Sequence, residues 1–255
     1  MTLAVHDWGQ PGAPRVVCLH GVTSHGRHFE RLGERLAPRF HVIAPELLGH
    51  GDSPREPPWS NEAQIDAILA TLGHEPATLI GHSYGARLAL ELAVHEPACV
   101  ERMVFLEPAV FLPPEVALFA AENACKERAY ASFAEGIDRR YEESALQSTP
   151  RQALETELAT HLVVSTDGLY RYRYSQAAVV AAYGEMARQP PAFDRARVPT
   201  LIVRGADSYL SYDHLLDTHR DALGDLLHEV TVDGGHTVLL DALAETAAAI
   251  EAFLA

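Results

Sequence analysis

Cysteine is scarce in this chain: Cys18, Cys99 and Cys125 are scattered over 255 residues, and no two form a CxxC pair. That spacing excludes a disulfide framework and leaves no zinc-ribbon pattern. Basic residues are also few, 20 against 35 acidic, for a net charge of −15 at pH 7. Without a basic stripe to displace counterions, no nucleic-acid or anionic-membrane surface is expected. No apolar run approaches the ~20 residues of a membrane-spanning helix. The N-terminus, MTLAVHDWGQPG, lacks the basic start and apolar core of a secretory leader. HExxH is absent too, and His20, His25 and His28 share a loop without carboxylates at ligand spacing, so no metal and no cofactor is expected. Neither repeats nor low-complexity tracts stand out. These absences point to a cytoplasmic monomer or homodimer whose partner is a small molecule.

What is present is ordinary globular material, 47% hydrophobic and 22% charged, enough for one large core. Short apolar runs read as buried strands: Leu3 to Asp7, Arg15 to Leu19, Phe40 to Ala44, Ala77 to Ile80, Val100 to Leu106, Thr200 to Val203 and His228 to Val232. Between them, helical spacing predicts helices over 28–37, 61–72, 86–94, 214–223 and 242–254. Strands that alternate with helices and are apolar almost throughout imply a mostly parallel, doubly wound α/β sheet covered on both faces. From Pro108 to about Pro191 strand signals fade and helical stretches rich in alanine and glutamate dominate. The expected organisation is a core of 1–107 and 192–255 with a helical cap inserted at 108–191.

One stretch carries chemistry. In IGHSYGARL, residues 80–88, Ser83 stands between an apolar strand and a helix, with Gly81 and Gly85 two residues to either side. A helix-capping serine needs neither glycine. A sharp strand-to-helix corner needs both, because side chains would collide there. The pattern reads as a nucleophile elbow. Since a serine hydroxyl is a weak nucleophile alone, it demands a base, an orienting acid and oxyanion donors.

Taken in order, VCLHG at 17–21, APELLGHGDS at 44–53, IGHSYG at 80–85, LIVRGADS at 201–208 and DGGH at 233–236 resemble the α/β-hydrolase-fold serine hydrolases, of the esterase-like kind that carry a cap. The resemblance runs almost end to end and is weakest through the insertion, which it places after the sixth strand of the family's scheme. It implies that His236 is the general base, following Gly234-Gly235 after the last strand, and that the backbone N–H groups of Val22 and Tyr84 form the oxyanion hole. Serine at the elbow departs from haloalkane dehalogenases and epoxide hydrolases, which use a carboxylate nucleophile.

The acid is where the chain leaves the family pattern. After Gly205 the expected aspartate position holds Ser208, and Asp207 comes one residue early. Glu107, 24 residues after Ser83, is the other candidate, resembling some dehalogenases and zearalenone-type lactonases with the acid after that strand. Either carboxylate could hold the imidazole tautomer. Arg87, four residues after Ser83, matches an arginine that holds a substrate carboxylate in a menaquinone-pathway lyase of similar fold; surface cover or pairing with a neighbouring acid is the alternative. The stripe Tyr170, Tyr172, Tyr174 alternates with arginines and fits a lid pocket, a helix face or a short strand. The expected activity is cleavage of a small carboxylic ester or lactone through an acyl-enzyme. The alternatives are C–C cleavage or elimination on a carboxylated substrate, and a ligand receptor that scarcely turns over.

Overall fold

A computed structural model describes residues 1–144, 146 and 148–255, without the side chains of 143 and 144. Seven strands form one sheet: β1 (Val5–Trp8), β2 (Arg15–Leu19), β3 (His41–Pro45), β4 (Ala77–His82), β5 (Val100–Leu106) and, beyond the insertion, β8 (Thr200–Gly205) and β9 (Leu227–Val232). Their order is β1-β3-β2-β4-β5-β8-β9, with β1 antiparallel to β3 and every other pairing parallel. The central strand β4 is buried at all six positions, its Thr78 and His82 included, as a strand covered on both faces is.

Two apolar layers cover the faces. One joins Leu19, Leu79, Leu88 and Phe105 beneath α2 (Asn61–Leu72) and α3 (Tyr84–His95). The other joins Val16, Ile80, Val104 and Val203 to Leu32 of α1 (Glu30–Leu36) and Ile250 of α10 (Leu243–Phe253). Helix α2 starts where Ser60 accepts a hydrogen bond from the Ala63 N–H, a side-chain N-cap. Helix α8 (Asp213–Leu223) links β8 to β9, and the short α9 (Val238–Asp241) precedes α10. The helix the sequence suggests over 242–254 is α10, set off from α9 at Ala242, which leaves helical geometry at φ −135°.

The insertion leaves β5, the strand that the family's scheme counts as the sixth and this chain has as its fifth. It holds α4 (Pro114–Ala124), α5 (Phe133–Ser144), α6 (Arg151–Leu158) and α7 (Gln176–Met186). It is not purely helical: β6 (Leu162–Val164) and β7 (Tyr170–Tyr172) make an antiparallel hairpin. The tyrosine stripe is therefore strand in part, and Tyr130, Ile137, Leu154 and Tyr172 build a separate apolar cluster there. Among the described residues no helix is long and apolar enough to cross a membrane.

Candidate active site

Parallel pairing brings the candidate groups to one edge of the sheet. His82 lies opposite Leu106, and Leu106 opposite Val203, so the residues that leave β4, β5 and β8 are neighbours. Ser83 follows β4, Glu107 follows β5, and Gly205 ends β8 beside Val232 at the end of β9. His236 comes four residues later. Such strand ends are where open α/β sheets bind ligands.

Ser83 occupies φ 53°, ψ −117°, a conformation that costs a non-glycine residue about 1–3 kcal/mol. Its amide donates to Leu106 O at 3.0 Å, and its carbonyl accepts from Ala86 and Ala109. Although it stands at the N-cap position of α3, its hydroxyl makes no capping bond. Close approach explains the flanking glycines. A Cβ on Gly85 would lie 1.9 Å from Leu19 O, and one on Gly81 would lie 2.4 Å from Gly85 O.

Of the two candidate acids, Glu107 meets the imidazole. Its carboxylate lies 3.2 Å from His236 Nδ1, accepts the Gly205 N–H at 2.6 Å and accepts the Ser208 hydroxyl. Glu107 is 2% exposed and, like Ser83, has positive φ, at 48°. With the carboxylate as acceptor, Nδ1 of His236 carries the proton and Nε2 keeps its lone pair. Asp207 must be corrected. It is exposed, and its amide donates to Gly234 O. The register of β5 with β8 sends the loop past the imidazole at Ser208 rather than at Asp207. The serine at the expected acid position thus serves the acid instead.

The loop after β2 is held by buried histidines. Leu47 donates its N–H to His20 Nε2, so the Nδ1 proton of His20 goes to Gly21 O at 2.8 Å. Because the peptide is planar, fixing that carbonyl fixes the direction of the Val22 N–H. His50 Nε2 donates to Val22 O at 2.6 Å. Burial drives the His20 pKa down to about 3 and lowers that of His50, so both work as neutral hydrogen-bonding groups. Tyr84 opens α3, and its N–H has no carbonyl one turn back within the helix. A Cβ on Gly21 would come within 3.2 Å of Ser83 Cβ, so the loop that carries Val22 passes against the serine.

Sequence reasoning missed three supports. His82 Nε2 donates to the His236 carbonyl at 2.9 Å, and burial keeps His82 neutral, its pKa well below the usual value. Asp241 accepts from Gly235 N–H and Thr237 Oγ1, gripping the loop from both sides of His236. Ser208 is the third, and its signal was the broken acid pattern itself.

Arg87 also needs correcting. It is 1% exposed and spends its guanidinium on Glu91 at 2.9 Å and on the carbonyls of Val110, Arg188 and Gln189. It ties α3 to the start of the insertion and to the segment after α7. Its guanidinium is engaged in that seam, a structural use.

Ser83 and His236 line a cavity of about 470 Å³ whose other walls come largely from the insertion. Leu112, Val116, Phe119 and Met186 supply apolar lining, and Thr23, Arg140, His161 and Tyr183 supply polar lining. The Tyr209 ring stands 5.1 Å from that of His236. Glu157 also lines the cavity and is engaged by His28 Nδ1 at 2.7 Å and His25 Nε2 at 3.3 Å. Burial alone would raise its pKa, but these histidines hold it well below the carboxylate range. Among the described residues one set of His, Cys and Glu side chains is close enough to share an ion: His74, Glu96 and Cys99. It lies at the ends of α2 and α3. Its buried thiol donates to His74 O, a structural use.

Residues 16–249 match the model of the alpha/beta hydrolase family. The chain is 34% identical to lipase LipV of Mycobacterium tuberculosis, over 99% of this chain and 97% of that one. It is 31% identical to 2-(acetamidomethylene)succinate hydrolase of Mesorhizobium japonicum, over 82% and 76%. The crystal structure of E-2-(acetamidomethylene)succinate hydrolase superposes with a TM-score of 0.85 at 27% identity, covering 99% of this chain and 94% of that one. With strand order, elbow and similarity in agreement, the chain belongs to the alpha/beta hydrolase family and is a hydrolase.

Proposed function

We propose that this hydrolase cleaves a small carboxylic ester or lactone through a covalent acyl-enzyme on Ser83. The observation that carries the reading is the 3.2 Å contact of His236 Nδ1 with buried Glu107, in the cavity that also exposes the elbow serine. That contact leaves Nε2 as the base. Ser83 Oγ attacks the carbonyl carbon while Nε2 takes its proton, and the oxyanion receives the Val22 and Tyr84 N–H groups. Collapse of the tetrahedral adduct breaks the C–O bond, and the imidazolium returns its proton to the leaving alcohol. Water, deprotonated by the same nitrogen, then attacks the acyl carbon, releases the acid and restores Ser83. Every proton and charge in this cycle is handled by side chains or backbone, so it requires no metal.

Cavity size supports small substrates, since about 470 Å³ lies at the low end of ligand sites. The lipase and the succinate-derivative hydrolase among the relatives fit cleavage at a carbonyl. The test is turnover of p-nitrophenyl acetate and butyrate. The wild type should release a burst of p-nitrophenol followed by steady turnover, and Ser83→Ala should lose both. Tight ligand binding with no turnover would overturn the hydrolytic reading in favour of a receptor.

A further inference from the structure

Arg140 of α5 faces the same cavity as Ser83 and His236, and nothing described so far uses its charge. Its terminal nitrogen reaches Thr23 Oγ1 at 3.4 Å, long for a hydrogen bond. Its Nε is buried without a partner. Its guanidinium carbon lies 6.0 Å over the Tyr172 ring. Among the described residues no carboxylate pairs with it, although the chain has 35 acids for 20 bases. Elsewhere in the chain arginines are paired: Arg87 with Glu91, Arg171 with Asp167, Arg173 with Asp52 and Arg188 with Glu185. Glu157, the acid on the cavity wall, is taken by His28 and His25.

Arg140 is half-buried, and a guanidinium partly withdrawn from water with no counter-ion is unfavourable, so its retention in a reaction cavity calls for an anion that comes and goes. The position suits a substrate. Thr23 adjoins Val22, whose N–H is the expected oxyanion donor. Arg140's charge also reaches Tyr209, beside His236: burial pushes that phenol up to about 12 while Arg140 pulls it down. The same cavity is lined by the apolar Leu112, Val116, Phe119 and Met186.

Resting on the hydrolase reading above, we infer that the substrate is an ester or lactone bearing a free carboxylate, which Arg140 receives in a charge-assisted pair. The apolar lining takes the remainder. Arginine suits this task because its planar fork matches both carboxylate oxygens.

The test compares charged and neutral esters of equal length in two series. Monomethyl esters of C3 to C6 dicarboxylic acids put the charge on the acyl side. Acetyl esters of short hydroxy acids put it on the alcohol side. The wild type should prefer the charged member of at least one series about tenfold or more in kcat/KM. Arg140→Gln should reduce that preference about 10- to 100-fold, mainly through KM, and Arg140→Lys should recover part of it. Raising ionic strength should increase KM for the charged ester more than for the neutral one, a readout that needs no variant. Equal use of charged and neutral esters by the wild type, or an equal loss on both in a folded Arg140→Gln, overturns the inference. Should no ester be cleaved at all, the hydrolase reading fails by itself. Calorimetric binding of succinate and glutarate to Ser83→Ala then still judges Arg140: binding lost in Ser83→Ala/Arg140→Gln supports it, and undiminished binding rejects it.

Discussion

Ser83 and Glu107 are the two non-glycine residues with positive φ among those described. They sit side by side at the ends of adjacent strands, and neither conformation serves packing alone. At Ser83 the strain lifts the hydroxyl off the helix it would otherwise cap. At Glu107 it turns a carboxylate into the space between β8 and the His236 loop, where three donors meet it. Loss of the ionised acceptor should therefore be severe. Glu107→Gln is expected to lower kcat for p-nitrophenyl butyrate about 10³- to 10⁴-fold, the size of effect when the orienting acid of such a triad becomes an amide. Asp207→Asn, at an exposed side chain, should stay within about twofold on the same scale. The reverse order of losses would transfer the role to Asp207. Ser208→Ala removes one donor and leaves the carboxylate in place, so its loss should fall between those two.

At the scale of elements, local signals served well where local physics decides. The helix over 61–72 and the strands over 15–19 and 100–106 appear with the bounds their apolar pattern suggests. Of the hairpin, β7 shows in the tyrosine stripe as a short strand or a helix face and β6 shows nothing, because three-residue strands carry too little alternation to separate the two. Arg87 shows the other limit: its offset from Ser83 and its i,i+4 acid Glu91 are legible, but its carbonyl partners come from segments 23 to 102 residues away. Removing it should cost the fold rather than the substrate. Arg87→Met leaves Glu91 with only the Asn61 amide and takes a donor from three carbonyls, and such losses run to about 3–5 kcal/mol; urea unfolding should show that drop. The ratio of charged to neutral ester use should stay at the wild-type value. Gly85→Ala should destabilise by about 1–3 kcal/mol or more, since its methyl would overlap Leu19 O and force α3 away from β2. A Gly85→Ala protein that melts with the wild type would refute that packing account.

Across the whole molecule, what the sequence withheld was burial. It showed 14 histidines and two rival acids; which histidines are enclosed, and which acid meets His236, depend on registers between strands far apart in the chain. Leu106 opposite Val203 settles the acid's neighbours, and no local pattern encodes that pairing. The enclosed histidines have a collective consequence. Burial lowers the pKa of His20, His50, His82, His161 and His219, with His20 and His219 brought to about 3. Unfolded, these groups titrate near 6.5. Below that pH the unfolded chain binds protons that the folded chain refuses, so stability must fall as pH drops. Each such histidine contributes about 1.4 kcal/mol per pH unit while the gap lasts. Two of the five titrating fully would remove about 3 kcal/mol between pH 6.5 and 5.0. Glu46 works in the same direction further down. Burial would raise its pKa, but His6 and its other partners hold it at about 2, so its contribution is present above about pH 4.5 and lost below. Urea unfolding at pH 7.5, 6.5, 5.5 and 5.0 should show the midpoint falling through the histidine range with the slope m unchanged. His219 isolates the cause, because it packs on Phe193 and accepts from Tyr212 away from the reaction cavity. His219→Gln keeps an acceptor but cannot titrate, so the pH slope of stability should shrink by about 1.4 kcal/mol per unit. A wild-type midpoint flat from pH 6.5 to 5.0, or an unchanged slope in His219→Gln, would contradict this origin of acid sensitivity.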